Sequence, residues 1–591
     1  MCVFVVAAAS VSLATAVIGD PQLVSLDQTG GNRSGVAVGS AVSADGRWVA
    51  FTSSDNLFGV GPTPNKQLYV RDTVSGQTKL VSAGATGVAA DADVDDPPDH
   101  RTYAISGDGR YVVFATGASN LVAGDHVGPD HDVFRKDLQT GAITLVSRAA
   151  NGAAANGIVD GDPDISFDGS EVAYETGAAT NLWAPDTTAT ASDIVVSDLV
   201  SGTSVLVSAD SAGAALTGTL HHPAISADGR VVAFEDGSGI TVRNLVAAST
   251  TVGPSGTFPD LSGDGHVMAY QSGASIVRRD LVTSTSTAIA NGALPGLSAD
   301  GQRIVFEAPA IPAIAAGDVN VVADVYVGGL AGTPERVSQR GNGTDANRAS
   351  DRGAISADGG SVAFGITDGG SSQTLNAGDT DSAADVLLAK LPPTDTKGPT
   401  LTVSSPADGA SATTATVGVS GVASDPSGVV AVTVNGFPAV LSPTDSFDVE
   451  VPLAVGAGTL TVRAVDGAGR VSERLVPVTR TGTQPTPGAH KARARSLRIY
   501  RAGGATRVRF VLDAGATGVT VRLWRRVVHP QRAPTWTPVN SLRKAVATRG
   551  RRTALVSRRP LQAGIYQVRV TVVSAGGVAV GVIRHAVARR T

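Results

Sequence analysis

Ser43-Ala44-Asp45-Gly46-Arg47-Trp48-Val49-Ala50-Phe51 is the first of seven Ser-x-Asp-Gly segments that each run into an alternating apolar stretch. The others carry their aspartates at Asp108, Asp168, Asp228, Asp264, Asp300 and Asp358. Asp-Gly between alternating apolar runs marks a hairpin, because glycine accepts positive φ without a Cβ clash. A unit that returns every 36 to 63 residues is one supersecondary element stacked in an array. Around Asp108 four strands can be read: A from Thr102 to Ser106, B from Tyr111 to Ala115, C from Asp132 to Leu138 and D from Ala142 to Ser147. Four-stranded antiparallel meanders repeated radially make a β-propeller.

Ring closure follows from the ends of the array. The seventh unit supplies strands A, B and C, and then Pro392-Pro393 stops the chain before any strand D. Ahead of the first unit lies an orphan strand, Gln22-Leu23-Val24-Ser25-Leu26, with the pattern of strand D elsewhere, as in Lys79-Leu80-Val81-Ser82. The N-terminal strand is therefore expected to complete the last blade and to remove an open sheet edge.

The units also carry a family resemblance. Ile-Ser-x-Asp-Gly-Arg-x-Val-Ala-Phe, then Asn-Leu-Val-x-Gly-Asp, then Asp-Val-Phe-x-x-Asp-Leu-x-Thr-Gly-x-Thr-x-Leu-Val-Ser resemble the WD-like repeat of TolB-type propellers over about residues 21 to 391. Seven copies stand here where that family's namesake has six, and the propeller is expected to occur without the namesake's N-terminal α/β domain.

Beyond the two prolines the punctuation changes. Thr400 to Arg480 reads as about seven short strands with Pro-Ala-Asp-Gly and Asp-Pro-Ser-Gly turns, which suits an immunoglobulin-like sandwich. It resembles the bacterial Ig-like modules attached to extracellular glycosidases, such as the B domain of glucodextranase. The final segment alternates too, with arginines on one face of its strands, and is expected to form a second sandwich. The predicted organisation is all-β: a leader at 1–16, a seven-bladed TolB-like propeller at 20–392, an Ig-like β-sandwich at 396–480, a linker at 481–495 and a basic β-sandwich at 496–591.

Composition bounds the function classes. The one cysteine, Cys2, lies in the apolar N-terminal run, so a processed chain has no thiol for a disulfide, a thiolate metal site or a nucleophile. No other run is long enough to span a membrane. From His490 to Thr591 there are 22 basic residues and a single acid, Asp513, whereas the rest of the chain holds 25 basic and 51 acidic residues. That asymmetry points to an anionic partner for the tail. The clusters containing Arg525, Arg526, Arg549, Arg551, Arg552, Arg558 and Arg559 are the expected contacts with an anionic envelope polymer. Interleaved aromatics are few, which disfavours nucleic acid.

Every A–B and C–D connection is a tight turn, so that propeller face is expected to be plain. The long B–C and D–A loops should form a rim on the other face, dipping over blades 4 and 5, whose Asp-Gly turns stand only 36 residues apart. Asp93, Asp95, Asp96, His100, Asp162, His222 and Arg352 are the candidate binding residues there. Counting back equally from each Asp-Gly puts Gly39, Thr102, Asp162, His222, Phe258, Leu294 and Arg352 at one height. That ring is chemically mixed and suggests no metal or substrate set. His221-His222 lacks a matching third histidine or carboxylate for zinc.

Asp91, Asp93, Asp95 and Asp96 form the densest carboxylate cluster. They read either as a calcium site or as a solvated loop. The pairs Asp125 with Asp132, Asp186 with Asp193, Asp318 with Asp324 and Asp379 with Asp385 pose the same choice between calcium and loop caps that order strand C. No cofactor other than calcium is indicated. There is no Gly-x-Ser-x-Gly, P-loop or dinucleotide fingerprint. The reading is an exported, extracellular or envelope protein, a non-catalytic scaffold whose loop face binds a protein or glycan. Its alternatives are a carbohydrate-active enzyme using acidic propeller-loop residues and a calcium-dependent adhesin.

Overall fold

The computed structural model describes residues 19 to 481 except for short segments, chiefly 59–65, 95–101, 124–130, 184–191, 310–321 and 368–374. Of residues 494 to 587 it describes the strand backbones. Residues 1–16, where a leader is expected, lie outside the described residues. All named elements are strands, and no helix among the described residues is long and apolar enough to cross a membrane.

Seven four-stranded antiparallel sheets lie between Gln22 and Lys390. Blade 1 is a meander of Ala37–Val42, Trp48–Ser53, Gln67–Asp72 and Gln77–Leu80, from inner strand A to outer strand D. Blade 4 repeats it with His221–Ile225, Val231–Glu235, Ile240–Asn244 and Ser249–Val252. In blade 7 the order from inside outward is Ser350–Ile355, Ser361–Ile366, Asp385–Lys390 and then the N-terminal strand Gln22–Leu23. Each innermost strand touches those of its two neighbouring blades, and blade 7 touches blade 1, so the ring is closed.

Strand B explains why the blades stack. Its alternation places one aromatic between sheets in every blade: Phe51, Phe114, Tyr174, Phe234, Tyr270, Phe306 and Phe364 are all buried. One core cluster joins Ala50, Leu68 and Val70 of blade 1 to Tyr103, Ile105 and Phe114 of blade 2. Burying such a side chain stabilises by about 1.5–3 kcal/mol, so each blade depends on its neighbour.

The Ser-x-Asp-Gly turns do two structural jobs. In each, the serine hydroxyl donates to the aspartate, as Ser43 does to Asp45 at 2.7 Å, and accepts the N–H that starts strand B, as from Trp48 at 2.9 Å. The glycine follows in the left-handed region, as at Gly46 with φ 69°. The turns are then stitched to each other by main-chain bonds. Ala44 N–H donates to Gly107 O, Asp108 to Phe167, Phe167 to Ala227, Asp228 to Gly263, Gly263 to Ala299, Ala299 to Ala357 and Asp358 back to Ala44. A belt of backbone hydrogen bonds thus encircles one end of the channel.

A second repeated device orders strand C. Asp132, Asp193, Asp324 and Asp385 each accept from a serine hydroxyl on the adjoining outer segment: Ser147, Ser208, Ser338 and Ser25. Each serine in turn accepts the N–H of the residue after its aspartate. These second aspartates thus tie the start of strand C to the outer segment through a serine intermediary; Asp125, Asp186 and Asp318 lie outside the described residues. Ser25 and Asp385 make this clasp across 360 positions of sequence at the seam of the ring.

The Ig-like domain is a sandwich of two sheets. One holds Thr400–Ser405, Thr416–Ser424, Ser446–Pro452 and Val440–Leu441, and the other is built on Val429–Val434, Gly456–Asp466 and Val471–Arg480. Val419, Phe447, Val449, Leu460, Val462 and Val476 fill its core. The last domain contains seven further strands among its described residues, arranged in sheets of three and four.

The propeller face expected to be plain is occupied. Loops 425–428 and 466–470 of the Ig-like domain seat on the backbone belt. A Cβ built on Gly263 would fall 2.0 Å from Ser427 O, and one on Gly428 would fall 2.6 Å from Gly263 O. Arg470 Nη2 reaches Asp358 Oδ2 at 2.9 Å, and Gly467 closes the channel floor. Tight turns make a flat surface, and a flat surface lined by glycine suits close docking.

Candidate active site at the channel mouth

The channel between the seven inner strands holds a cavity of about 270 Å³. Its floor is the belt of Ala44, Gly107, Phe167, Ala227, Gly263, Ala299 and Ala357, sealed by Gly467. Gly39, Asp162, His222, Phe258 and Leu294 line the opposite end. The cavity is therefore blind at the repeat-determined end.

Backbone irregularity positions the mouth residues. Strand A slips in register against strand B in six blades, for example between His221 and Ala224. At these bulges Asp162, His222, Phe258 and Leu294 have φ of 44°, 52°, 53° and 50°, and Gly39 has 72°. Left-handed φ at a non-glycine residue costs on the order of 1–2 kcal/mol. A bulge re-aims a side chain, and here it brings these residues to the cavity.

Two carboxylates that sequence reading missed complete the histidine pair. Glu235, the last residue of strand B in blade 4, accepts from His222 Nδ1 at 2.6 Å and from the Phe258 N–H at 2.7 Å. His222 Nε2 lies 3.7 Å from Asp162 Oδ2, so the imidazole stands between two carboxylates. Next to it, His221 Nδ1 is 2.8 Å from Glu175 Oε1 on blade 3. The expectation that His221-His222 lacks carboxylates at its height is corrected. The partners come from the ends of strand B, positions that the count along strand A did not sample.

Burial and exposure divide these groups by role. Glu175 and Asp162 side chains are 3% and 4% exposed, whereas His221 is 38% exposed. Burial pushes the Glu235 carboxyl up, but the His222 hydrogen bond and the Phe258 N–H outweigh it and hold the group below the usual glutamate range. Glu235 is thus an ionised acceptor that fixes the imidazole and leaves Nε2 directed toward Asp162. The Phe258 ring, with its centroid 4.6 Å from that of His222, supplies an apolar wall. Blade 4 joins strands B and C through the short turn Asp236 to Gly239, so the cluster sits where the rim is low.

The remaining candidates are distributed differently. Asp91 accepts from the Ser119 N–H and hydroxyl, each at 2.7 Å, while Asp93 accepts from Lys66 N–H at 2.5 Å. Those two carboxylates tie separate loop segments. Asp95, Asp96 and His100 lie outside the described residues, as do Arg549, Arg558 and Arg559. Arg352 lies in strand Ser350–Ile355, Arg525 and Arg526 in Gly518–His529, and Arg551 and Arg552 in Gly550–Ser557.

Residues 399–481 match the family model described as glucodextranase, domain B. No curated protein matches the chain significantly. Among solved structures the chain is similar to dipeptidyl peptidase 4 of Porphyromonas gingivalis at 10% identity and TM-score 0.32, covering 81% of this chain and 64% of that one. It is also similar to the acylaminoacyl peptidase of Pyrococcus horikoshii at 11% identity and TM-score 0.30, covering 71% of this chain and 57% of that one. The chain spans less than two thirds of the length of either neighbour. The expectation of a non-catalytic scaffold is corrected by the match at 399–481: the module's model is described from an enzyme, glucodextranase, and the reading passes to the carbohydrate-active alternative.

Proposed function

We propose that the chain is a carbohydrate-active enzyme whose reaction centre is the imidazole–carboxylate cluster at the channel mouth. The observation that carries this reading is His222 held between Glu235 and Asp162 above a blind cavity. Cleaving a glycosidic bond requires a proton delivered to the leaving oxygen and a carboxylate that activates water or attacks the sugar. His222, oriented by Glu235, is the proton carrier. Asp162 is the carboxylate that faces it; it takes the proton from the attacking water, whose hydroxyl adds to the anomeric carbon as the His222 proton passes to the leaving oxygen. Glu175 with His221 forms a second dyad on the adjoining blade for orienting the chain end. The blind floor favours attack on a chain terminus, since a polymer cannot thread through.

Location and attachment belong to the same proposal. The N-terminal segment 1–16 serves as an export leader. The TolB-like repeat supplies the ring, and the basic domain 496–591 holds the enzyme against an anionic envelope polymer. Release of reducing sugar from a panel of neutral and acidic glycans tests the reaction, with Glu235→Gln and Asp162→Asn as controls. Hydrolysis of one glycan class that both variants lose supports it. A panel with no product, or variants that retain the wild-type rate, would overturn it.

A further inference from the structure

The joint between propeller and Ig-like domain contains a second cluster unconnected with the channel mouth. Asp395 comes from the segment linking the two domains, Asp425 from the Asp-Pro-Ser-Gly turn and Asp466 from the end of strand Gly456–Asp466. One carboxylate oxygen from each lies within 4.8 Å of the other two. Asp466 is fully buried and Asp395 is 8% exposed. Three carboxylates so close, two of them buried and Asp425 half-buried, repel one another unless a positive charge joins them.

No protein cation among the described residues does so. Arg470 is the nearest candidate, yet its Nε donates to the main-chain carbonyl of Asp395 at 3.1 Å and its Nη2 goes to Asp358 at 2.9 Å. The carboxylates keep free acceptor capacity. Asp466 Oδ1 accepts the N–H groups of Ala468 and Arg470, at 3.0 and 2.7 Å, whereas its buried Oδ2 accepts no hydrogen bond. Asp425 Oδ1 takes the Ser427 N–H at 2.8 Å, and the Ser427 hydroxyl donates to Asp395 Oδ2. A buried carboxylate oxygen without a donor is costly, and a hard cation is the partner that an all-oxygen set of this charge selects.

We infer that Asp395, Asp425 and Asp466 bind a calcium-type divalent cation that fastens the Ig-like domain and its linker to the propeller floor. Three carboxylates supply the charge, and main-chain carbonyls or water complete the six to eight oxygens calcium takes. The site ties three non-adjacent segments together, so its consequence is mechanical: the domain that seals the channel is held by a removable ion.

Calcium binding to the full chain, stripped by chelator and followed by equilibrium dialysis with metal analysis, tests this directly. One equivalent should bind and raise Tm by about 5 °C or more at saturating calcium. Asp425→Asn, at the half-buried edge of the cluster, should lose that equivalent while remaining folded, and Asp466→Asn should do the same. Asp91→Asn, in the acidic loop of the opposite face, should keep it. The inference is overturned if stripped wild-type chain binds no calcium, or if Asp425→Asn and Asp466→Asn retain the full stoichiometry. Sugar release is not read in this experiment, so the outcome is separate from that of the proposed reaction.

Discussion

The two ends of the channel are built from the same seven strands and could hardly differ more. At the floor every blade contributes the same Ser-x-Asp-Gly turn, every turn is bonded to the next through the main chain, and a neighbouring domain covers the result. At the mouth the equivalent positions are Gly39, Asp162, His222, Phe258 and Leu294, no two alike, four of them in a costly backbone conformation. Repetition serves closure, and departure from repetition brings unlike side chains together at the mouth. The most regular acidic residues of the chain, the Asp-Gly aspartates, are thus the ones spent on turns.

That contrast can be broken most severely at the mouth. His222→Gln should lower glycan hydrolysis by about 10²–10⁴-fold, the range for losing a positioned acid or base, while Asp45→Asn at the floor should leave the rate within twofold, or about 0.4 kcal/mol of barrier. Steady-state kinetics on the two purified variants decides it. If both fall equally, the two ends do not divide the labour.

At the floor the expected effects are on stability. Gly263→Val places atoms against the Ser427 carbonyl and should cost about 1–3 kcal/mol, read as a lower denaturant midpoint and faster proteolysis near residue 395. An unchanged midpoint would mean that the Ig-like domain does not rest there. At the seam, Ser25→Ala removes the hydroxyl bonded to Asp385 and should cost about 1.5–3 kcal/mol, the range for bonds to charged groups. Ser208→Ala, the same clasp within blade 3, should cost as much or less, because it does not open the ring.

The smallest effect lies in the outer turns. Burial alone would raise the Asp137 carboxyl, but the Arg110 guanidinium and the Thr140 and Gln139 N–H groups bring it down to about 2. A depressed carboxylate contributes stability above its unfolded value, near 4, and loses that contribution as pH falls toward the folded value. Asp137→Asn should therefore lower Tm at pH 6 and have almost no effect near pH 2. A penalty that persists in acid would show that the side chain acts through packing instead.

How much of this was legible in sequence depends on whether a feature repeats. The hairpins, the aromatic of strand B and the orphan strand beginning at Gln22 each announce themselves by comparison with other copies. The low rim over blade 4 was visible in the 36-residue spacing. Glu175 and Glu235 were not, since a glutamate closing an apolar run reads as an exposed strand end until the bulge sets the facing register. A usable signal stood beside them. Asp162-Pro163, His222-Pro223, Phe258-Pro259 and Leu294-Pro295 place a proline directly after the left-handed residue, and proline inside a strand marks a bulge or an edge. Docking of the Ig-like domain was hidden for a different reason: it depends on the shapes of two loops that meet only after both domains have folded.

The seam between Gln22–Leu23 and Asp385–Lys390 also sets an order of events. Its contacts join segments 360 or more residues apart, so the loop-closure entropy must be met before the seam returns any stability. Blades 1 to 6 can stack as they emerge, but blade 7 has to wait for a strand that was made first and kept unpaired throughout. A slow final folding phase, absent from a circular permutant that carries residues 20–26 after strand C of blade 7, is the kinetic signature of that delay.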